Sequence, residues 1–293
     1  MSHQWMPASP CTDTCHSAQV RAGAVAVALR YAALVATATV AVLLPLAVVL
    51  PAPQRRDVHR RYMLMVLRAL GVRLQVSDER GPVGEPGRGV LAVAGHVSWL
   101  DVLVLNAVDH GEYVARADLL DWPLIGRLAR RVRVVPIDRG RLRDLPGVVD
   151  EAAERLRTGT RVVAFPEGTT WCGRAYGRLR PALFQAAVDS GAAVEPIELR
   201  YVRGDGTTET GVCFVGEQTL VASLRRTIHL PGVIAEVRRG PLQEPGVDRR
   251  ELAERCERVV HGGDRREREV DVLLAAAHVG SVAAVDRRPV PVQ

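Results

Sequence analysis

The sequence has few aromatic residues and no lysine. Only 4% of its 293 residues are Phe, Trp or Tyr, and all 39 of its basic side chains are arginine. Nucleic-acid-binding modules usually carry aromatic stacking residues or a zinc-finger, helix-turn-helix or RNA-binding signature, and no such signature occurs. We therefore expect no nucleic-acid partner. The net charge of +6 instead favours an acidic membrane surface or a phosphorylated substrate.

Cysteine is also sparse. The five cysteines are an odd number, scattered at positions 11, 15, 172, 213 and 256, which excludes the dense disulfide framework of a small secreted protein. Cys11 and Cys15 form a C-x3-C pair, but no second Cys or His pair follows at a spacing typical of zinc sites. The sequence therefore predicts a reducing compartment and no metal site.

A long apolar run follows a polar N-terminal tail, residues 1–20. Residues 31–50 are uncharged for 20 positions, about the length needed to cross a hydrocarbon core of roughly 30 Å. Pro45 and Pro51 interrupt the helical pattern, and residues 62–72 offer a second apolar helix. The run could therefore span a membrane or re-enter as a hairpin, and a buried core helix is the third alternative.

Arginines are distributed unevenly around this run. Arg55, Arg56, Arg60 and Arg61 follow it, whereas Arg21 and Arg30 lie before or at its start. Because basic residues accumulate on the cytoplasmic side of membrane segments, we expect a protein of the cell membrane whose downstream part is cytoplasmic. Arginines at that depth can also hold anionic headgroups.

Downstream of a Gly/Pro-rich turn, short apolar runs alternate with amphipathic ones. Runs typical of strands are residues 90–94, 113–115, 132–137, 161–165, 193–201, 212–215 and 233–237. Predicted helices lie near 99–107, 119–130, 146–157, 181–189, 218–227 and 248–261. This alternation predicts an α/β fold with a mixed, largely parallel sheet flanked by helices. The predicted organisation is a flexible tail (1–20), membrane-anchoring helices (21–74), an α/β domain (75–262) and a charged C-terminal tail (263–293).

The stretch VAGHVSWLDVLVL, residues 93–105, admits two interpretations. Ser98 and Asp101 fit the Ser-x-x-acid capping box, in which the acid only starts a helix. His96, however, lies between a predicted strand and that helix, a position where α/β folds place ligand groups. The spacing of His96 and Asp101 alone does not decide between a cap and a catalytic pair.

Three further stretches follow predicted strands. FPEGTT places Glu167, Gly168 and Thr169 in a turn after one strand, and VVPIDRG places Arg139 after another. An ordinary turn and an exposed surface arginine are the alternatives to a ligand site, although the arginine fork matches phosphate oxygens. In VEPIEL, Pro196 predicts an edge strand or a bulge.

The order GHVSWLD, VVPIDRG, FPEGTT and VEPIEL resembles the four motifs of the glycerophospholipid acyltransferase family, which includes the lysophosphatidic acid acyltransferases. The resemblance covers residues 96–199. Gly95 departs from the asparagine of many members, and the second motif matches mainly through Arg139. The resemblance implies that His96 is the general base and that Asp101 orients it. It also implies that Arg139 and the 167–169 segment bind the glycerol phosphate region of the acceptor, and that the Pro196 strand is structural or lines the acyl site.

The residue types suit this chemistry. A lipid hydroxyl is a poor nucleophile, so a neutral imidazole must take its proton during attack on an acyl thioester. No serine lies in a G-x-S-x-G elbow, and Cys172 has no adjacent base in the sequence, which favours direct transfer over an acyl-enzyme. Neither step calls for a metal or another cofactor.

We therefore expect a membrane-bound O-acyltransferase. It would transfer a fatty acyl group from acyl-CoA or acyl carrier protein to the free hydroxyl of a lysophospholipid, with lysophosphatidate as the first candidate. Another lysolipid, such as lyso-ornithine lipid, is the closest alternative. A non-catalytic lipid-binding membrane protein and a metal hydrolase using His96 and Asp101 are further alternatives, and the hydrolase lacks a third ligand at a recognisable spacing.

Overall fold

A computed structural model describes residues 7–16, 21–81, 88–122, 126, 133–138 and 140–263. The α-helices in these ranges are α1 (Ala24–Ala41), α2 (Ala52–Ala69), α3 (Leu100–Val108), α4 (Leu145–Arg157), α5 (Phe184–Ser190), α6 (Leu220–His229) and α7 (Arg249–Val260). The strands are β1 (Val72–Asp78), β2 (Val90–Ala94), β3 (Glu112–Arg116), β4 (Val135–Ile137), β5 (Val162–Ala164), β6 (Ala193–Val202) and β7 (Val233–Arg239). The predicted α/β class is thus confirmed.

The strands form one seven-stranded sheet in the order β1-β7-β6-β2-β5-β3-β4. Neighbouring strands are parallel throughout, except that β6 and β7 are antiparallel. At the centre, Val93 of β2 pairs with Ala164 of β5 and with Pro196 of β6. The loops that follow β2 and β5 therefore leave the sheet side by side at the same edge.

Helices cover both faces of this sheet. Leu91 and Val93 of β2 pack in a buried cluster with residues of α4, α5 and α7, whereas Ala92 and Ala94 pack in a second cluster with residues of α2, α3 and α6. Side chains alternate between the faces of a strand, so a strand buried on both faces needs the continuous apolar run seen here. β2 is consequently fixed on both sides, and it presents the loop after Ala94 from a rigid base.

The N-terminal helices form a hairpin. α1 ends at Ala41, a 3-10 helix spans Leu44–Val49, and α2 begins after Pro51, so the predicted run 31–50 is not one continuous helix. Tyr62 of α2 donates a hydrogen bond to the Thr37 carbonyl of α1 at 3.4 Å. Among the described residues, α1 is the single helix whose length and apolar composition would allow it to cross a membrane. The two prolines explain the break, because each lacks the N–H that a continuing helix needs.

α1 is also attached to the α/β domain. The Arg30 guanidinium donates to the carbonyls of Ile228 and Leu230 at 2.7 and 2.5 Å. Most of the apolar side chains of α1 and of the following turn are nevertheless exposed, including Val35 at 68% and Val49 at 82%. The hairpin therefore carries an unburied apolar surface while its base is held by the domain.

The predicted secondary structure at the start of the α/β domain needs correction. The predicted helix 62–72 ends at Ala69, and Val72 begins β1, a strand that the sequence analysis did not identify. β1 is only partly buried and lies at the outer edge of the sheet, so it lacks the apolar run on which strand prediction relied. The boundary expected between residues 74 and 75 falls inside this strand.

The strand predicted at 212–215 does not form. Thr210–Val212 is a 3-10 helix, in which the Glu209 side chain accepts the main-chain N–H of Gly211 at 2.7 Å. Most of the apolar residues of the 212–215 segment are buried by packing, and they do not pair as a strand. Buried residues of this kind give the same sequence pattern as a core strand. Of the helix predicted at 119–130, the segment Ala117–Asp121 is a 3-10 helix, and most of the remainder lies outside the described residues.

Pro196 does not lie in an edge strand. β6 is bordered by β2 and β7, so that part of the prediction is wrong. On the β7 side, Ile197 pairs with Arg239 and Val194 bridges to Gln243, so two residues of β6 face three of the neighbouring segment. This extra residue is the signature of a bulge, which accommodates a proline without an N–H donor in a central strand.

Candidate active site

The loops after β2 and β5 bring His96 and Glu167 together. The main-chain N–H of His96 donates to Glu167 Oε2 at 2.8 Å, and the His96 carbonyl accepts the N–H of Trp171 at 2.7 Å. Both loops start from paired strand ends, which explains why residues far apart in the sequence meet here. As predicted from their strand termini, the two residues lie at one edge of the sheet.

The His96 side chain is held by Asp101. His96 Nδ1 lies 2.8 Å from Asp101 Oδ2, and the imidazole stacks on the Phe165 ring with centroids 4.2 Å apart and an interplanar angle of 14°. A carboxylate can only accept at Nδ1, so the neutral imidazole carries its proton there and keeps a basic lone pair on Nε2. The His96 side chain is 17% exposed, whereas that of Asp101 is fully buried. This is the arrangement of an oriented general base.

Asp101 is satisfied by four donors. Besides His96, its Oδ2 accepts the main-chain N–H groups of Val97 and Ser98 at 2.7 and 2.9 Å, and its Oδ1 accepts the Tyr201 hydroxyl at 2.8 Å. The acid half of the capping box is therefore formed, while the Ser98 hydroxyl has no hydrogen-bond partner among the described residues. Asp101 both starts α3 and holds His96, so the two interpretations of this stretch are compatible.

Tyr201 is a site residue that the sequence analysis missed. It lies on β6, about a hundred residues from Asp101 in the chain, and no local pattern links the two. Burial first, and then the Asp101 charge and hydrogen bond, raise the pKa of Tyr201 well above its ordinary value. The phenol therefore remains a protonated donor to the carboxylate.

The Glu167 carboxylate is turned inward. Its side chain is fully buried; Oε2 accepts from His96, Oε1 accepts the main-chain N–H of Gly177 at 3.1 Å, and Oε1 lies 3.7 Å from His261 Nε2. His261 packs against the Tyr176 ring at 4.8 Å between centroids. Glu167 thus holds the backbone of the catalytic loop, and nothing in the sequence indicated that His261 would join it.

The residues after Glu167 form a tight turn. Gly168 has φ of +76°, and a Cβ there would lie 2.6 Å from Cγ of Pro7. Thr169 is half-buried, and the next hydroxyl, that of Thr170, donates to the Phe214 carbonyl. Glycine is required by the backbone conformation as well as by the close approach of the N-terminal segment.

Arg139 lies outside the described residues, so its predicted phosphate contact stays a prediction. The strand before it, β4, is parallel to β2, but β5 and β3 lie between them. At about 4.8 Å per strand, the end of β4 is roughly 14 Å from the end of β2 along the same edge.

A basic cleft lies beside His261, the residue whose Nε2 is 3.7 Å from Glu167 Oε1. It has a volume of about 680 Å³ and includes His261 in its lining. The charged residues of the lining are four arginines and two glutamates, Arg178, Arg180, Arg250, Arg258, Glu254 and Glu257. The arginines come from the loop after Gly177 and from α7, and no local pattern in the sequence indicates that they converge. Their excess over the glutamates suits an anionic group.

The fourth motif contributes to the core of the fold. Glu195 is buried and pairs with Arg161 and with Arg239, whose Nη2 lies 3.1 Å from Glu195 Oε2. Burial would raise the pKa of Glu195, but the hydrogen bond from Arg239 and the charge of Arg161 bring it below its ordinary value. This cluster lies near the start of β5, at the edge of the sheet opposite to the one that carries His96. Of the two roles expected for the Pro196 strand, a structural role and lining of the acyl site, this position favours the structural role.

Three cysteines meet beside the catalytic loop. The sulfur atoms of Cys11, Cys15 and Cys172 lie within 4.8 Å of one another. The Cys11 thiol, which donates towards Cys172, lowers the pKa of Cys172 to about 5, and the N–H groups of Arg174 and Ala175 act in the same direction against burial. Spacing in the sequence revealed only the first two thiols, because the fold supplies the third.

The chain is similar in sequence to known acyltransferases. The family model described as Acyltransferase matches residues 73–200. The chain is 32% identical over 209 residues to the lyso-ornithine lipid O-acyltransferase of Pseudomonas aeruginosa, covering 71% of this chain and 78% of that protein. It is 37% identical over 136 residues to the 1-acyl-sn-glycerol-3-phosphate acyltransferase of Neisseria meningitidis, covering 46% and 52%.

The fold has a counterpart among solved structures. The crystal structure of the 1-acyl-sn-glycerophosphate acyltransferase PlsC from Thermotoga maritima matches with a TM-score of 0.60 at 17% identity, over 81% of this chain and 93% of that one. At this identity the likeness concerns the fold alone. The sequence relatives show that the chain is an acyltransferase and belongs to the family that contains the lysophosphatidate and lyso-ornithine lipid acyltransferases.

Proposed function

We propose that this protein is a membrane-bound O-acyltransferase that converts lysophosphatidate to phosphatidate, using acyl-CoA or acyl carrier protein as the donor. The observation that carries the proposal is the His96–Asp101 pair, with Nδ1 fixed at 2.8 Å from the carboxylate and Nε2 left as the base. The family of the chain supplies the reaction class, and this pair supplies a chemical means.

The proposed reaction is a direct transfer. Nε2 of His96 takes the proton of the acceptor hydroxyl while the hydroxyl oxygen attacks the thioester carbonyl. The tetrahedral intermediate then collapses, the C–S bond breaks, and the imidazolium returns the proton to the leaving thiolate. Asp101 stabilises the imidazolium between these steps, and general-base help of this kind contributes about 10²- to 10⁴-fold. Each step is performed by these side chains, so we propose that the transfer needs no metal or other cofactor.

The basic cleft supports a phosphate-bearing acceptor. Its four arginines exceed its two glutamates, and one of the glutamates, Glu257, already accepts the main-chain N–H of Leu179 at 2.8 Å. His261 connects the cleft to Glu167, whose Oε2 binds the backbone of His96. A phosphate held here, or by Arg139 as the sequence predicts, would keep the glycerol hydroxyl near the base.

Lyso-ornithine lipid is the second candidate acceptor. The observation that favours it is the extended match to the Pseudomonas aeruginosa protein, which includes most of the length of that relative. Its headgroup carries an ammonium group as well as a carboxylate, so an arginine-rich cleft suits it less than it suits a phosphate dianion. The reaction and the base would be the same with either acceptor.

We also propose that the hairpin places the enzyme on the membrane. The exposed apolar side chains of α1 and the following turn would enter the lipid, while Arg56, Arg60 and Arg61 of α2 would face anionic headgroups on the cytoplasmic side. The attachment of Arg30 to the domain and the break after Ala41 favour re-entry over a straight span. Protease access to the domain from outside intact cells would contradict this orientation.

The deciding experiment is an acyl-transfer assay on the purified full-length chain in mixed micelles. Acyl-CoA and acyl carrier protein donors are each tested against lysophosphatidate, lyso-ornithine lipid and other lysolipids. We expect the largest kcat/KM with lysophosphatidate, and a preference for lyso-ornithine lipid would transfer the proposal to the second candidate. Lipid binding without turnover on any acceptor would instead favour a non-catalytic lipid-binding protein.

A further inference from the structure

Three thiols from two distant parts of the chain converge beside the catalytic loop. Cys11 precedes the 3-10 helix Asp13–Cys15, Cys15 ends that helix, and Cys172 follows the Glu167–Thr170 turn. Their sulfur atoms lie within 4.8 Å of one another. In a tetrahedral zinc site with Zn–S bonds of about 2.3 Å, the sulfur atoms are about 3.8 Å apart. The observed spacing therefore needs only a small closing movement to bind a metal ion.

The surroundings of the cluster also suit a soft cation. Cys11 and Cys172 are buried and Cys15 is half-buried, so an ion bound between the three sulfur atoms would be shielded from bulk water. The Cys213 thiol is buried in the same core cluster as Cys11 and Cys172, and His16, whose Nε2 lies 3.4 Å from the Cys213 carbonyl oxygen, follows Cys15 in the chain. One of these side chains, after a local movement, or a water molecule would supply the fourth ligand.

We propose that Cys11, Cys15 and Cys172 bind one zinc ion, or a similar thiophilic divalent cation, which fastens residues 7–16 to the catalytic loop. This site is structural and separate from the transfer step, for which His96 is the base. Its effect on turnover rests on the proposed function, whereas metal binding itself does not.

The N-terminal segment has little else to hold it. Within residues 7–16, only Cys11 is buried, and the other side chains are half-buried or exposed. A disulfide would use two of the three thiols and leave the third unused, and all three are free thiols in the structure. A metal ion accounts for all three thiols at once, and it can supply the free energy needed to order a short segment.

The segment fixed in this way covers a functional turn. Pro7 lies against Gly168, where an added Cβ would be 2.6 Å from Pro7 Cγ. Metal loading would therefore position Pro7 over the turn whose neighbour Glu167 holds the backbone of His96. Loss of the metal should loosen residues 7–16 first and leave the sheet intact.

The test is metal analysis of the full-length protein, purified under reducing conditions and loaded with Zn²⁺. We expect one zinc ion per chain in the wild type and none retained after dialysis in Cys11→Ala, Cys15→Ala or Cys172→Ala. Cys256→Ala is the matched control, because Cys256 is a buried thiol on α7 that lies outside the cluster. Co²⁺ loading should give thiolate-to-metal charge-transfer absorption in the wild type and in the control only.

Hydrogen exchange gives a readout that is independent of activity. Chelation should accelerate amide exchange in residues 7–16 of the wild type to the rate seen in Cys11→Ala. Cys11 and Cys15 lie outside the sheet, so these two variants test the proposal even if Cys172→Ala fails to fold. Equal zinc content in all variants would overturn the proposal. So would a reduced wild type that retains no zinc after loading and dialysis.

Discussion

Replacing Asp101 by asparagine separates the charge of this residue from its hydrogen bonds. Asp101 Oδ2 accepts from His96 Nδ1 and from the N–H groups of Val97 and Ser98, whereas Oδ1 accepts from Tyr201. In Asp101→Asn, one of the two oxygens becomes an NH2 group. Two main-chain donors point at the Oδ2 position, so the amide oxygen must stay there and the NH2 group must face Tyr201.

That orientation preserves both the fold and the histidine tautomer. The Tyr201 hydroxyl can turn from donor to acceptor and satisfy the new NH2 group. The amide oxygen at the Oδ2 position still accepts the Nδ1 proton of His96, so Nε2 remains the base. The large loss expected when a triad histidine takes the wrong tautomer, roughly 10⁴-fold, should therefore not occur here.

What the variant loses is the charge that stabilises the imidazolium. A hydrogen bond to a charged group contributes about 1.5–3 kcal/mol, compared with about 0.5–1.5 kcal/mol for a neutral one. The difference between the two ranges is about 1–1.5 kcal/mol, and if it is realised in the transition state but not in the ground state, kcat falls roughly 5- to 13-fold. KM for both substrates should change little, because Asp101 is fully buried.

The measurement is a pair of saturation curves, one varying donor and one varying acceptor, together with thermal unfolding of each variant. Unchanged kcat in Asp101→Asn would show that Asp101 only starts α3. A fall near 10⁴-fold with an intact fold would show that the tautomer is not locked by the main chain. The double variant Asp101→Asn/Tyr201→Phe leaves the NH2 group without its acceptor, so it should be less stable than Asp101→Asn by about 1–3 kcal/mol.

Four further predictions use the same assays. His96→Ala should abolish turnover while the protein still folds, with the unfolding temperature lowered by the lost bond to Asp101 and the lost stacking on Phe165, and near-wild-type kcat would refute the base assignment. Arg139→Ala should raise KM for lysophosphatidate roughly 10- to 150-fold and leave donor KM unchanged, with partial recovery in Arg139→Lys; equal effects on both substrates would remove Arg139 from the phosphate site. Gly168→Ala should lower stability by at least about 1–2 kcal/mol because φ is +76°, and an unshifted unfolding temperature would contradict this. The pKa of Glu195 is lowered in the folded protein, so the carboxylate contributes to stability above the pKa it has in the unfolded chain. This contribution should be lost as the pH falls through the pKa of the folded protein. Unfolding measured against pH should therefore depend less on acid in Glu195→Gln than in the wild type.

The parts of the site that were predictable from the sequence are local. His96 and Asp101 are five positions apart in one strand-to-helix connection, and the apolar run of β2 marks where that connection starts. Glu167 was placed at the same edge because strand ends of a parallel sheet share an edge. In each case a short pattern determined the position, and the rules of sheet topology then brought the patterns together.

The remaining features depend on contacts between distant segments. Tyr201, His261 and Cys172 reach the site from β6, from the end of α7 and from the loop after β5, and their own neighbours in the sequence give no sign of it. Pro196 shows the same limit, because the bulge that accommodates it is formed by the segment after β7. Spacing along one chain segment cannot show what a second segment contributes.

The geometry assigns different tasks to the two carboxylates of the site. Asp101 binds the ring of His96, and Glu167 binds its main-chain N–H, so the base is fixed both at the side chain and at the backbone. A buried carboxylate is costly unless donors surround it, and here main-chain N–H groups face both residues. Because those donors belong to the loops after β2 and β5, the same bonds that stabilise the two charges also hold the two loops in place. The hydrogen-bond donors around these carboxylates are therefore already oriented, and they do not have to reorganise, as water would, when the imidazolium forms.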